Sequence, residues 1–248
     1  MARSPLWLFL CPACDTGIVF GKTLHSIDCP LCQYRTRYPS AELFGSAEWD
    51  RGRSPEYLHG CLTALDRAPT SRQRRLLYTA VARTEFDWCR DQWFQLAIEV
   101  AEQWADTDRP PFGVDDIVRS LPRPVPRISS ASWDAQQVAA NCLNIAPSIS
   151  AVRFGGFRPA TQHAFADAYR ELFPNPFVPL EWNPNWHTTT VRDLARHIYS
   201  AREFGTMPIL ADALQDAGGE DECILGHCRA NTPHVRGCWV LDALLGKS

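Results

Sequence analysis

Ten cysteines and seven histidines in 248 residues are where metal or thiol chemistry could reside. Four of the cysteines come as two pairs, Cys11-Pro12-Ala13-Cys14 and Cys29-Pro30-Leu31-Cys32, with fourteen residues between the pairs. A CxxC turn is tight enough to aim both sulfurs at one point. Two such turns supply four thiolates, the ligand set of a closed tetrahedral zinc site. The spacing therefore predicts one structural Zn2+ held by Cys11, Cys14, Cys29 and Cys32. An iron–sulfur centre also takes four cysteines. A redox CxxC belongs between a strand and a long helix, a context neither pair has. His25 lies between the pairs and reads as a surface residue, because four thiolates already fill the site.

A second constellation lies near the C-terminus. His234, Cys238 and Asp242 are spaced i, i+4, i+8, which places them on one face if this stretch is helical. His227 and Cys228 precede them closely. Imidazole and thiolate at such spacing could bind a second metal. The competing reading is packing: Cys238 beside Trp239 turned inward, and His234 in a polar contact near a helix start. No catalytic residues are assigned, since the chain has no nucleophile elbow, phosphate loop, dinucleotide fingerprint or zinc-protease motif. His163 and His197 are scattered, and Gly155-Gly156 lacks the spaced glycines and lysine of a phosphate loop.

The elements that must hold the first site are short. Ile18-Val19-Phe20 and Thr23 to Ile27 flank a Gly21-Lys22 turn, which predicts a small β-hairpin. A lone hairpin is marginal in water, and a structural zinc would close it with about 10–16 kcal/mol of apparent binding free energy. Residues 9–38 resemble the bacterial zinc-ribbon fingers of the CPxC-x14-CPxC kind. Such fingers often carry glycine just after a pair, where this chain has Asp15 and Gln33. Lys22, Tyr34, Arg35 and Arg37 put aromatic and positive side chains together, a nucleic-acid cue. Against it, zinc with four thiolates carries a charge of about −2. That nearly cancels the local positive charge, and with it any large counterion-release contribution.

Beyond residue 40 the apolar residues recur at helical spacing. Helices are expected from Ser54-Pro55 to about Leu65, from Ser71, and over Gln92 to Asp106. Arg72, Arg74 and Arg75 at the start of the second of these oppose its dipole, and read either as a contact for an anionic partner or as a solvated charged turn. Cys61 and Cys89 lack spaced partners and read as small buried hydrophobes. Leu121-Pro-Arg-Pro-Val-Pro-Arg127 cannot be helical, so residues 121–130 are a place where the helical part could divide. A weak helix is expected over Ser132 to Cys142. Thr161 caps a helix that Phe173-Pro-Asn-Pro-Phe177 ends. Further helices start near Thr190 and Thr206, and Thr232-Pro233 opens the last, which Gly246 closes.

The run Leu172 to Phe177, Leu194-Ala195, Ile198-Tyr199, Pro208 to Leu214, His227-Cys-Arg229, His234 to Trp239 and Leu244 to Lys247 resembles an uncharacterised family of bacterial helical proteins. The likeness extends loosely back to about residue 54. Members usually lack the zinc ribbon, and many carry cysteine where this chain has Gly219. The resemblance implies a helical fold and no mechanism.

The expected architecture is thus mainly α: a zinc ribbon over residues 1–40 and an all-α domain over 41–248. A formal charge of −3 argues against a protein dominated by phosphate-backbone binding. No stretch approaches the roughly 18–20 apolar residues of a membrane span, and the cysteine pattern in a chain this large argues for a reducing, cytoplasmic setting. The expected function is a non-catalytic zinc-binding interaction or adaptor protein with a protein partner. The alternatives are a nucleic-acid-binding regulator using the ribbon and a metalloenzyme using the His227–Asp242 cluster.

Overall fold

The computed structural model describes residues 6–10, 17–20, 26–28, 33, 35–37, 42–52, 54–86, 92–107, 109–114, 116, 138, 141–143 and 157–247. The described chain is mainly helical. It separates into two compact units, one of residues 1–170 with 175–177, the other of residues 171–174 with 178–248. No described helix is long and apolar enough to cross a membrane.

The first unit begins with five short strands: β1 (Leu6–Leu10), β2 (Gly17–Phe20), β3 (Ser26–Asp28), β4 (Arg35–Arg37) and β5 (Glu42–Phe44). β1 pairs antiparallel with β2, Leu8 opposite Val19, and on its other edge with β5, Leu6 opposite Phe44. β3 pairs antiparallel with β4, Ile27 opposite Thr36. The Gly21-Lys22 turn of the expected hairpin lies outside the described residues; among the described strands β2 pairs with β1, and β3 with β4. The run Leu6 to Leu10 is apolar throughout, whereas Thr23 to Ile27 includes His25 and Ser26. Cys11, Cys14, Cys29 and Cys32, with Lys22 and Tyr34, lie outside the described residues. Arg35 and Arg37 fall on β4, and Arg35 is exposed.

Four helices follow, α1 (Ser46–Arg51), α2 (Pro55–Ala64), α3 (Ser71–Glu85) and α4 (Gln92–Thr107). Proline opens α2, where its missing N–H is no loss. α3 starts on a capping box: Thr70 Oγ1 accepts from Gln73 N–H, and the Gln73 side chain accepts from Thr70 N–H. Trp49, Leu58, Leu62, Leu76, Leu77, Val81 and Ile98 are all buried from water. The expected arginine cluster is engaged internally. Arg72 pairs with Asp106 at 3.6 Å, Arg74 donates to Ser71 Oγ, and Arg75 lies 3.7 Å over the Trp104 ring. Of the stretch 121–130 expected as a divide, no residue is described.

α5 (Pro159–Leu172) begins two residues before Thr161, again on a proline, and places Phe165 and Tyr169 in the core of the first unit. Its last residues, from Glu171, belong to the second unit. There α6 (Thr189–Ala201), α7 (Met207–Asp216), α8 (Glu222–Arg229) and α9 (Trp239–Leu245) surround a core of Val191, Ile198, Met207, Leu210, Leu214, Leu225 and Leu241. Thr188 caps α6 through Val191 N–H. The loop 178–188 is pinned by Trp186, which is buried, and by Trp182, which packs on the same core.

Candidate metal centre

Two local features build the polar centre of the second unit. α8 starts at Asp221, whose carboxylate accepts from Cys223 N–H and Ile224 N–H, and it stops at Ala230 because Pro233 excludes a helical continuation. The chain then runs as an irregular segment to a tight turn, closed by Cys238 N–H on the Val235 carbonyl, with Gly237 at φ 91°. Glycine takes that left-handed conformation freely. Only at Trp239 does α9 begin.

The expected helical face of His234, Cys238 and Asp242 is therefore corrected. His234 lies in the segment before the helix, Cys238 sits at its N-cap position, and Asp242 alone is inside it. A helix opening at Thr232-Pro233 would have to run through Gly237 at positive φ, which a right-handed helix cannot hold. His234 and Cys238 converge all the same, and they do so on His227 from α8 and Glu171 from the last turn of α5. The four donor atoms lie within 4.8 Å of one another. Glu171 was not anticipated. Cys228 is buried next to His227 but is not one of the four, and neither is Asp242, which is buried on α9.

The geometry is close. His234 Nδ1 lies 2.7 Å from Glu171 Oε1. His227 Nε2 lies 3.5 Å from the same oxygen and 3.2 Å from Cys238 Sγ. Trp239 Nε1–H donates to His227 Nδ1 at 3.2 Å, and the indole leans over the imidazole with centroids 4.8 Å apart. A neutral His227 that accepts at Nδ1 carries its proton on Nε2, directed into the cluster. The side chains of Glu171, His227 and His234 are 7 %, 15 % and 4 % exposed, and Cys238 is fully buried. His234 Nε2 is buried with no hydrogen-bond partner.

Burial works against the Glu171 charge, but hydrogen bonds from His227 and His234 outweigh it and hold its carboxyl down to about 2. The thiols respond in the opposite sense. Burial first, and then the Glu171 charge, push Cys228 up to about 12 and Cys238 well above the ordinary thiol range. A thiol kept protonated is a poor nucleophile. A divalent cation at the centre would reverse that bias, because its charge favours thiolate and carboxylate together. One carboxylate oxygen, two imidazole nitrogens and one sulfur are donors that a metal ion of this kind accepts.

Among the described residues, two further histidines have other polar partners. His197 pairs with Glu203 on the surface at 3.0 Å, and His59 Nδ1 meets Tyr169 hydroxyl at 2.9 Å inside the first unit. No family model, curated protein or solved structure matches the chain.

Proposed function

We propose that this chain is a non-catalytic, metal-binding helical protein that serves as an interaction module or adaptor for a protein partner. The observation that carries the reading is the closure of the Glu171–His227–His234–Cys238 cluster. Its donors face one another, and three of the four side chains are more than nine-tenths buried. Structural metal sites are closed in this way, whereas catalytic ones keep a position open for water or substrate. Two histidines and a carboxylate alone would match the facial triad of non-haem iron enzymes. Here Cys238 takes up a further position and burial removes the substrate's approach. With an ion bound, the Cys238 thiolate is occupied as a ligand, and burial keeps Cys228 as a thiol, so nucleophilic catalysis has no activated group.

Within the same proposal, Cys11, Cys14, Cys29 and Cys32 hold a structural Zn2+ in an N-terminal ribbon. A reducing, cytoplasmic setting, supported by the cysteine pattern, belongs to it too, as does kinship of residues 172–247 with the helical family they resemble. The direct test is a substrate survey with the purified, metal-loaded protein, followed by Glu171→Gln. The reading predicts no turnover above background. Turnover that disappears in Glu171→Gln while the fold is retained would refute it and favour the metalloenzyme.

A nucleic-acid role for Lys22, Tyr34, Arg35 and Arg37 is the second reading, favoured by the exposure of Arg35 on β4. It requires binding that weakens steeply with salt. Absence of binding at low salt would eliminate it.

A further inference from the structure

We propose that the second unit carries its own tetrahedral zinc-class site, formed by Glu171 Oε1, His227 Nε2, His234 Nδ1 and Cys238 Sγ, independent of the four N-terminal cysteines. The inference deepens the reading of this centre as structural.

The ligand-to-ligand edges carry it first. Donors about 2.0–2.3 Å from a tetrahedral zinc are about 3.3–3.7 Å from one another. The separations of 3.5 Å between His227 Nε2 and Glu171 Oε1, and of 3.2 Å between His227 Nε2 and Cys238 Sγ, already lie at or near that spacing. His234 Nδ1 to Glu171 Oε1, at 2.7 Å, is a hydrogen bond whose proton an ion would replace, with a small outward movement of both groups. At His227 the ion would take the Nε2 lone pair, so the ring proton moves to Nδ1 and the Trp239 indole N–H gives up that acceptor.

The buried lone pairs carry it second. An apolar core gains nothing by enclosing a carboxylate, two imidazoles and a thiol together, since every such group must be fully partnered to offset its desolvation. Glu171 is charged in this cluster, and an ion would balance that charge while taking lone pairs from all four donors; His234 Nε2, which is not one of them, has no partner with or without the ion.

The donor types decide the metal. Sulfur and imidazole together disfavour Mg2+ and Ca2+, which take oxygen. A four-donor N2OS set with no open position suits Zn2+, with Co2+ as a spectroscopic substitute. Backbone constraints make the site local. Cys238 is fixed by the Gly237 turn and by its carbonyl, which accepts from Asp242 N–H at 2.9 Å, so its sulfur needs no rearrangement of α9 to serve as a ligand.

The test is X-ray absorption at the zinc edge on the full-length protein purified with zinc, together with Co2+ titration of the wild type, Cys238→Ser and Cys228→Ser. The wild type is expected to bind two ions, and its zinc shell to mix sulfur with nitrogen or oxygen and show imidazole scattering. Cys238→Ser should bind one ion fewer, and Cys228→Ser should bind as the wild type does. A zinc shell of sulfur alone overturns the site, as does a Cys238→Ser protein that keeps the wild-type stoichiometry and cobalt spectrum. The wild-type absorption measurement decides the matter even if Cys238→Ser does not fold. A sulfur-only shell leaves the non-catalytic reading standing, whereas turnover in the substrate survey would refute that reading and leave the site intact.

Discussion

At the scale of single residues, Glu171 is the one on which the centre depends. It is a buried carboxylate in the last turn of α5, between Arg170 and Leu172 in the chain, and an isolated charge there would be far too costly to keep. His234 offsets it directly. His234→Ala should leave Glu171 buried and half-partnered and destabilise the protein by about 3–5 kcal/mol, read by urea denaturation. His197→Ala removes an exposed pair with Glu203 and should cost under about 1 kcal/mol. Equal effects of the two would remove the special status of the cluster. The pH dependence of metal-free protein has a definite sign. Glu171 ionises at a lower pH folded than unfolded, so its contribution is fully present above its ordinary value and is lost as pH falls from about 4.5 towards about 2. Denaturation midpoints of chelator-treated protein should fall between about pH 5 and about pH 3, and Glu171→Gln should flatten that decline. An unchanged slope in the variant would mean that other carboxylates govern it.

At the scale of elements, the helices rich in apolar repeats were legible because their period is simple. Leu77, Ala80 and Val81 on α3, or Val191, Ala195 and Ile198 on α6, mark one face each, and the core takes those faces. What was not legible depended on backbone detail. α8 is only eight residues long and too short to show a period, though Asp221 at its N-cap was a usable signal. The last helix was expected to start at Thr232-Pro233, and the left-handed Gly237 delays it to Trp239. His234 and Cys238 come together through a turn and an N-cap position rather than along one helical face. Glu171 escaped notice because its partners lie more than fifty positions away in sequence. Its signal was a charged residue set in an apolar helical stripe. The turn after α7 gives a prediction at this scale. Gly219 N–H donates to the Leu214 carbonyl at 2.8 Å, and a Cβ on Gly219 would lie 2.8 Å from that same oxygen. Gly219→Ala should open this C-terminal cap and cost about 1–3 kcal/mol, measurable as a shifted denaturation midpoint. A neutral outcome would show that the turn relaxes freely.

At the scale of the whole molecule, the chain forms two units with separate cores, and the polar centre lies wholly within the second. Three segments meet there: the end of α5, the end of α8 and the approach to α9. An ion holding four side chains from these segments closes long loops of the unfolded chain, and so stabilises the second unit as a folding ligand does. In the proposed reading the four donors, with Cys238 as thiolate, fill the coordination shell, and the ion holds the module in shape. The most direct examination is anomalous diffraction at the zinc edge from crystals of the full-length protein grown with zinc. The account predicts an anomalous peak in the second unit at bonding distance from Glu171, His227, His234 and Cys238. Clear density for all four side chains with no peak among them would contradict it.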